Sequence, residues 1–134
     1  MSTYHLDQLF APRSIALVGA SPRASSTGRA VLANLRHAGF AGALRLVNPH
    51  YGEIEGVAAV RSFDALPETP DLVVIAAPPP AVPAIVAAAG EKGSAAAIII
   101  TSGLGHGAGS LAASCEQAAR HKGCLLYTSD AADE

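Results

Sequence analysis

Residues 19–29, "GASPRASSTGR", bring glycines, hydroxyls and arginines together in one short stretch. None of these side chains is a natural general acid or base, and the combination suits an anion instead. Gly19 permits a tight turn, and Gly28 lets a ligand approach the backbone closely. Free N–H groups at the start of a helix, with the helix dipole behind them, favour a phosphate or pyrophosphate. Arg23 or Arg29 would add charge-assisted hydrogen bonds. A plain strand-to-helix turn with capping serines is the alternative reading. The coincidence of glycine, hydroxyl and arginine favours the anion site.

Other loops share this character: "VNPHYG" at 47–52, "AAPPPA" at 76–81 and "TSGLGHG" at 101–107. What they lack is equally informative. A nicotinamide dinucleotide domain shows GxGxxG in the first loop and an acidic residue at the end of the second strand for the ribose hydroxyls. Here the second place holds Asn48, His50 and Tyr51, which suit a phosphate or adenine better than a diol. A Walker loop is excluded, because no GKS or GKT occurs.

Aliphatic runs at 14–20, 43–49, 71–78 and 95–103 read as strands buried on both faces, as parallel strands are. Between them the period changes to that of helices. Val31, Leu32, Leu35 and Ala38 form one stripe, which Ser26 or Thr27 can cap and Gly39 can end. Val82, Ile85, Val86 and Ala89 form a second, ended by Gly93. Leu111, Cys115, Ala118 and Ala119 form a third, from about Ser110 to His121, with Glu116 and Arg120 as an exposed pair and Gly123 as terminator. Within 51–70, "VAAVRS" reads as a short edge strand and "SFDALP" as a helical turn. Alternating strands and helices predict an α/β fold: a three-layer, Rossmann-like, doubly wound parallel sheet with right-handed crossovers. In such sheets ligands bind outside the carboxyl ends of the strands, which brings the loops above together.

The 134 residues form one domain at most, half apolar and only 15% charged, which is a globular composition. A formal charge of −2 without a basic cluster argues against nucleic acid or an anionic membrane as main partner. No segment approaches the roughly 18 apolar residues of a membrane span, so a cytoplasmic protein is the default. Cys115 and Cys124 fit neither a disulfide framework nor a metal-ligand pattern, and no metal site is expected. The last eleven residues, "CLLYTSDAADE", break in composition from the rest and match the translation of a sequencing-library adapter. Residues 124–134 are therefore expected to be a non-native tail on a domain ending at 123, with an acidic native tail as the alternative. On that reading the sheet is missing its last strand, and its open edge predicts poor solubility. The tail holds Asp130, Asp133 and Glu134, so without it the formal charge changes sign.

From Leu9 to Gly123 the chain resembles a known family, the N-terminal CoA-binding domain of NDP-forming acyl-CoA synthetases, related to the succinyl-CoA synthetase α subunit. The likeness lies in "LFAPRSIALVGAS", "GRAVLANLRHAGFAGALRLVNPHYGEIEG", "LPETPDLVVIAAPPPAVP" and "AAAIIITSGLG". Each piece is degenerate alone, but their order and spacing are specific. The resemblance implies that Gly19, Ser21, Ser26, Thr27, Gly28 and Arg29 form a loop around the phosphates of coenzyme A. It places His50 and Tyr51 at the nucleotide end, Pro78 and Pro79 in the cleft wall, and Thr101, Ser102 and Gly103 beside the pantetheine arm. The family often has an acidic residue near position 106, where this chain has His106.

The implied parent enzyme is an ADP-forming acetate–CoA or acyl-CoA ligase, some forms of which carry a fused acetyltransferase domain. Its phosphohistidine domain and its ATP-grasp domain, the latter using ATP or ADP with Mg, lie outside these residues. His106 accordingly reads as a loop residue, and His5, His37 and His121 as surface positions. No catalytic residue is assigned, and the 134 residues alone are expected to bind CoA without ligase activity. Two alternatives stand beside this reading: a stand-alone CoA-binding protein without catalysis, and an NAD(P)-binding oxidoreductase domain with an unusual loop.

Overall fold

A computed structural model describes residues 12–19, 27–37, 42–54, 56–100, 104–105, 107–122 and 124–128. In chain order the elements are β1 (Ser14–Val18), α1 (Thr27–His37), β2 (Ala43–Val47), β3 (Glu53–Ile54) and β4 (Val57–Val60). A 3-10 turn at Phe63–Ala65 follows, then β5 (Leu72–Ile75), a second such turn at Pro79–Ala81, α2 (Val82–Lys92), β6 (Ala96–Ile99), α3 (Leu111–Lys122) and β7 (Leu125–Thr128). The strands form one sheet in the order β3-β4-β2-β1-β5-β6-β7. Every pairing is parallel except that of β3 with β4.

Alternation along the strands divides the apolar side chains between two faces. Ala16, Val18, Val73, Ile75, Ala97 and Ile99 pack with Val82, Val86 and Ala89 of α2 and Cys115 and Ala119 of α3. Ile15, Leu17, Leu46, Leu72, Val74 and Ala96 form the opposite cluster with Leu32 of α1, flanked by the half-buried Val31 and Leu35. Each buried Val, Leu or Ile side chain stabilises by roughly 1.5–3 kcal/mol and each alanine methyl by less, and burial on both faces is why these strands read as continuous apolar runs. The expected α/β layers and all three helical stripes are present, although Ala38 lies outside the described residues.

Local chemistry sets the ends of the elements. α2 begins behind "PPP", where Pro83 in its first turn needs no intrahelical N–H partner. It stops at Gly93, whose φ of 97° few other residues tolerate and whose N–H reaches the Ala89 and Gly90 carbonyls. At the head of α3 the Ser110 hydroxyl accepts the Ala113 N–H at 3.1 Å and donates to the Gly107 carbonyl at 2.7 Å. Glu116 and Arg120 are both exposed, as expected. An ion pair the sequence reading did not single out joins Arg45 Nε to Glu68 Oε1 at 2.8 Å. Their mutual hydrogen bond raises the Arg45 pKa and lowers that of Glu68.

The structure departs from expectation in three places. The strands are shorter at their carboxyl ends than the aliphatic runs, because residues such as Gly19 and Pro78 leave the ladder for loops. "VAAV" is a strand, but β3 lies outside it and forms the edge. The sheet does not lack its last strand. Leu125–Thr128 pairs with β6 in parallel register, Ala96 opposite Leu125 and Ile99 opposite Thr128. The Cys124 N–H bonds to the Ala119 carbonyl at 3.0 Å as the chain leaves α3. Cys124 is buried and Leu126 packs against the same cluster. The β-prone run "LLYT" follows a right-handed return through α3, and it meets the open edge of β6 whatever its origin.

Candidate functional site

The strand order reverses at β1: the chain runs outward through β2 and later resumes on the other side with β5. The crevice at such a reversal is where doubly wound sheets hold ligands. Gly19 leaves β1 there with φ 102°. Its N–H donates to the Val47 carbonyl at 3.2 Å, tying the first loop to the end of β2. On the other side it lies against β5. A Cβ at Gly19 would stand 2.7 Å from the Ala76 carbonyl carbon and 2.8 Å from both the Ala76 oxygen and the Ala77 nitrogen. Glycine is therefore required twice here, for its dihedral and for its contact.

The end of β2 is fixed as firmly. The Asn48 N–H donates to the Val60 carbonyl at 2.9 Å. Its side-chain Oδ1 accepts the His50 N–H at 2.7 Å across Pro49, and Asn48 is only 7% exposed. This Asx turn lifts His50 and Tyr51 onto the surface. Tyr51, 45% exposed, is the exposed large apolar side chain among the described residues. Its ring can stack on a base, and its hydroxyl can remain in water. No carboxylate occurs in "VNPHYG".

The third wall is Ala76, Ala77 and Pro78, small or ring-closed residues that keep the crevice low; Pro78 is exposed and Pro79 half-buried. Helix electrostatics point the same way. None of α1, α2 and α3 has an acidic residue in its first turn. Helices that return antiparallel to the strands turn those N-termini toward the carboxyl end of the sheet. Positive dipole ends without competing carboxylates suit a polyphosphate.

Gly19, His50, Tyr51, Pro78 and Pro79 thus come together at this end of the sheet. Arg29 is half-buried on α1, whose first residues are Thr27 and Gly28. Ser21, Ser26, Thr101, Ser102, Gly103 and His106 lie outside the described residues, as does Arg23. Three residues shape this end of the sheet in ways that residue type alone does not show. Ala76 and Ala77 form the wall against Gly19, signalled in the sequence only by their small size after "LVVI". Asn48 holds the turn through its Oδ1, a role consistent with the Asn-Pro sequence. Among the described residues no cluster of three or more His, Cys, Asp or Glu could hold a metal ion. No described helix is long and apolar enough to cross a membrane.

The profile of the CoA binding domain family matches residues 13–130. The chain belongs to this family. Among curated proteins, the domain is 39% identical over 70 residues to the ADP-forming acetate–CoA ligase I of Archaeoglobus fulgidus, covering 52% of this chain and 10% of the ligase. Among solved structures it superposes with TM-score 0.83 and 31% identity on an acetyl-coenzyme A synthetase of Ca. Korarchaeum cryptofilum determined with phosphate and ADP, covering 90% of this chain and 26% of that one. A conserved hypothetical protein of Pyrococcus furiosus superposes with TM-score 0.70 and 30% identity, covering 87% of this chain and 92% of that protein. The resemblance to the CoA-binding region of NDP-forming synthetases therefore holds, as does the Rossmann-like fold. This CoA binding domain spans about a tenth of the ligase and about a quarter of the synthetase chain, and the family match runs through β7.

Proposed function

We propose that the domain binds coenzyme A at the carboxyl end of its sheet, as the CoA-holding part of an NDP-forming acetate–CoA or other acyl-CoA ligase. The observation that carries this reading is the family match over residues 13–130, on a crevice whose β2 end offers Asn48, His50 and Tyr51 in place of a diol-binding carboxylate. The loop from Gly19 to Arg29 would cradle the phosphates, with His50 and Tyr51 at the nucleotide end and Pro78 and Pro79 along the arm. Thr101, Ser102 and Gly103 would border the pantetheine. In the parent enzyme, phosphohistidine and ATP-grasp domains would couple acyl-CoA formation to nucleoside triphosphate with Mg. The domain alone would supply the CoA site and no phosphoryl chemistry.

Titration calorimetry of the 134-residue chain with CoA and with NADH tests this directly. Saturable binding of CoA without NADH is expected, and binding of NADH without CoA would overturn the assignment. One observation favours a second reading, a stand-alone CoA-binding protein: the Pyrococcus furiosus protein is nearly the same length as this domain. The two readings separate on the gene. Phosphohistidine and ATP-grasp coding sequence in frame downstream supports the ligase, and a stop codon directly after the domain supports the stand-alone protein.

A further inference from the structure

The β2 end raises a question that family membership does not answer: what keeps His50 and Tyr51 in place, and what selects the ribose that meets them? Polar residues are rarely this buried without holding something, and Asn48 is 7% exposed. Its Oδ1 accepts the His50 N–H at 2.7 Å, while its own N–H is fixed to Val60 at 2.9 Å. The adjoining Val47 carbonyl accepts the Gly19 N–H at 3.2 Å. Asn48 therefore links β4 to the exposed His50–Tyr51 pair, directly beside the Val47 contact with Gly19. It also occupies the stretch where a diol-binding domain carries a carboxylate. A carboxylate there would repel a phosphorylated ribose, whereas a carboxamide holds the same turn without charge.

We propose that Asn48 is a positioning and selectivity residue: its carboxamide holds the turn presenting His50 and Tyr51, and its neutrality admits a ribose that carries a phosphate. The inference rests on the CoA reading above and adds to it the 3′-phosphate of CoA as the group facing the β2 end. In Asn48→Ala the acceptor for the His50 N–H is gone, so CoA and 3′-dephospho-CoA should lose affinity together. Asn48→Ser restores a hydroxyl acceptor able to close the same turn and should recover most of the loss. Asn48→Asp keeps an oxygen for the turn and adds a charge, so it should separate the two ligands.

The test is calorimetric titration of wild type and the three variants with CoA and with 3′-dephospho-CoA at about pH 8, where an aspartate is ionised, each protein first shown folded by its unfolding curve. For Asn48→Ala both affinities are expected to fall about tenfold, with Asn48→Ser returning to within about threefold of wild type. For Asn48→Asp, dephospho-CoA is expected within about threefold of wild type and CoA weakened about tenfold or more. Wild-type CoA affinity in Asn48→Ala, or equal loss of both ligands in folded Asn48→Asp, overturns the proposal while leaving CoA binding intact. Should Asn48→Asp not fold, the comparison of Ser with Ala decides, and no recovery by Ser overturns it. Wild-type protein that binds neither ligand overturns the CoA reading itself, and this inference with it.

Discussion

Replacing Gly19 with alanine adds one methyl group where its would-be Cβ meets the backbone of Ala76 and Ala77 at under 3.0 Å. Two penalties can be separated. The first is conformational: at φ 102° a non-glycine residue costs on the order of 1–2 kcal/mol. The second is steric. The new Cβ would lie 2.7 Å from the Ala76 carbonyl carbon, in a residue whose N–H is held to the Val18 carbonyl at 2.8 Å. A flexible side chain could swing aside, but here β1 and β5, paired at the centre of the sheet, must separate. Overpacking of this kind costs a further 1–3 kcal/mol or so. The total of about 2–5 kcal/mol is a large part of the roughly 5–15 kcal/mol that stabilises an ordinary domain. Gly56 supplies the control, since its φ is 80° and nothing lies within 4 Å of its would-be Cβ. Urea unfolding of wild type, Gly19→Ala and Gly56→Ala should show Gly56→Ala losing only the conformational part and Gly19→Ala at least about 1 kcal/mol more. Equal losses in the two variants would refute the crowding argument.

Three further outcomes follow from the same geometry. Ser110→Ala removes the cap of α3 and should lower stability by about 1 kcal/mol in urea unfolding, whereas Ser110→Asp, which keeps an acceptor for the Ala113 N–H, should lose less. Ser94 is 4% exposed and its hydroxyl has no hydrogen-bond partner among the described residues, so Ser94→Ala should be neutral or stabilising by up to about 1 kcal/mol; a clear loss of stability would show that the hydroxyl is satisfied. Burial pushes the Cys124 thiol from its ordinary 9.0 up to about 11. The unfolded chain therefore releases that proton first, so the thiol's contribution is complete below pH 9.0 and is lost as pH rises toward about 11. Unfolding midpoints across that window should fall more steeply for wild type than for Cys124→Ala.

The fold was legible because its parallel strands are short, aliphatic and bounded by glycine or proline, and because each helix carries a clear apolar stripe. Leu32, Val86 and Cys115 are buried as their spacing requires. What stayed hidden depends on neighbours distant in sequence. Nothing in "VGAS" says that Gly19 lies against Ala76, since that contact spans the crossover from β1 to β5. β3 was invisible because two residues are too few to show a period. β7 depends on a different property. Composition identifies where a segment departs from its surroundings, but pairing depends on an available edge and on extended propensity, and "LLYT" has both. At the carboxyl end of the sheet, the chain reversals at Gly19 and Pro78 were readable from residue type. The role of Asn48 was not, because it depends on burial and on one hydrogen bond.

The two ends of the sheet are built differently, and the difference bears on how the site works. At the amino end, side chains stitch successive strands together. The Arg13 N–H reaches Asp71 Oδ2 at 2.9 Å, the Asp71 N–H reaches Ser14 Oγ at 3.0 Å, and the Thr69 hydroxyl reaches the Lys92 carbonyl at 3.0 Å. These contacts lock β1 to the start of β5 and secure the exit from α2. At the carboxyl end, the described junctions beside the first loop include backbone contacts, Gly19 on Val47 and Ala76 on Val18. The Gly19–Ala76 contact leaves no room for an added side chain. On this argument, bulk added at the carboxyl end should damage stability and CoA binding together. Loss of the Asp71 stitch should lower stability and leave the affinity of the folded domain nearly unchanged.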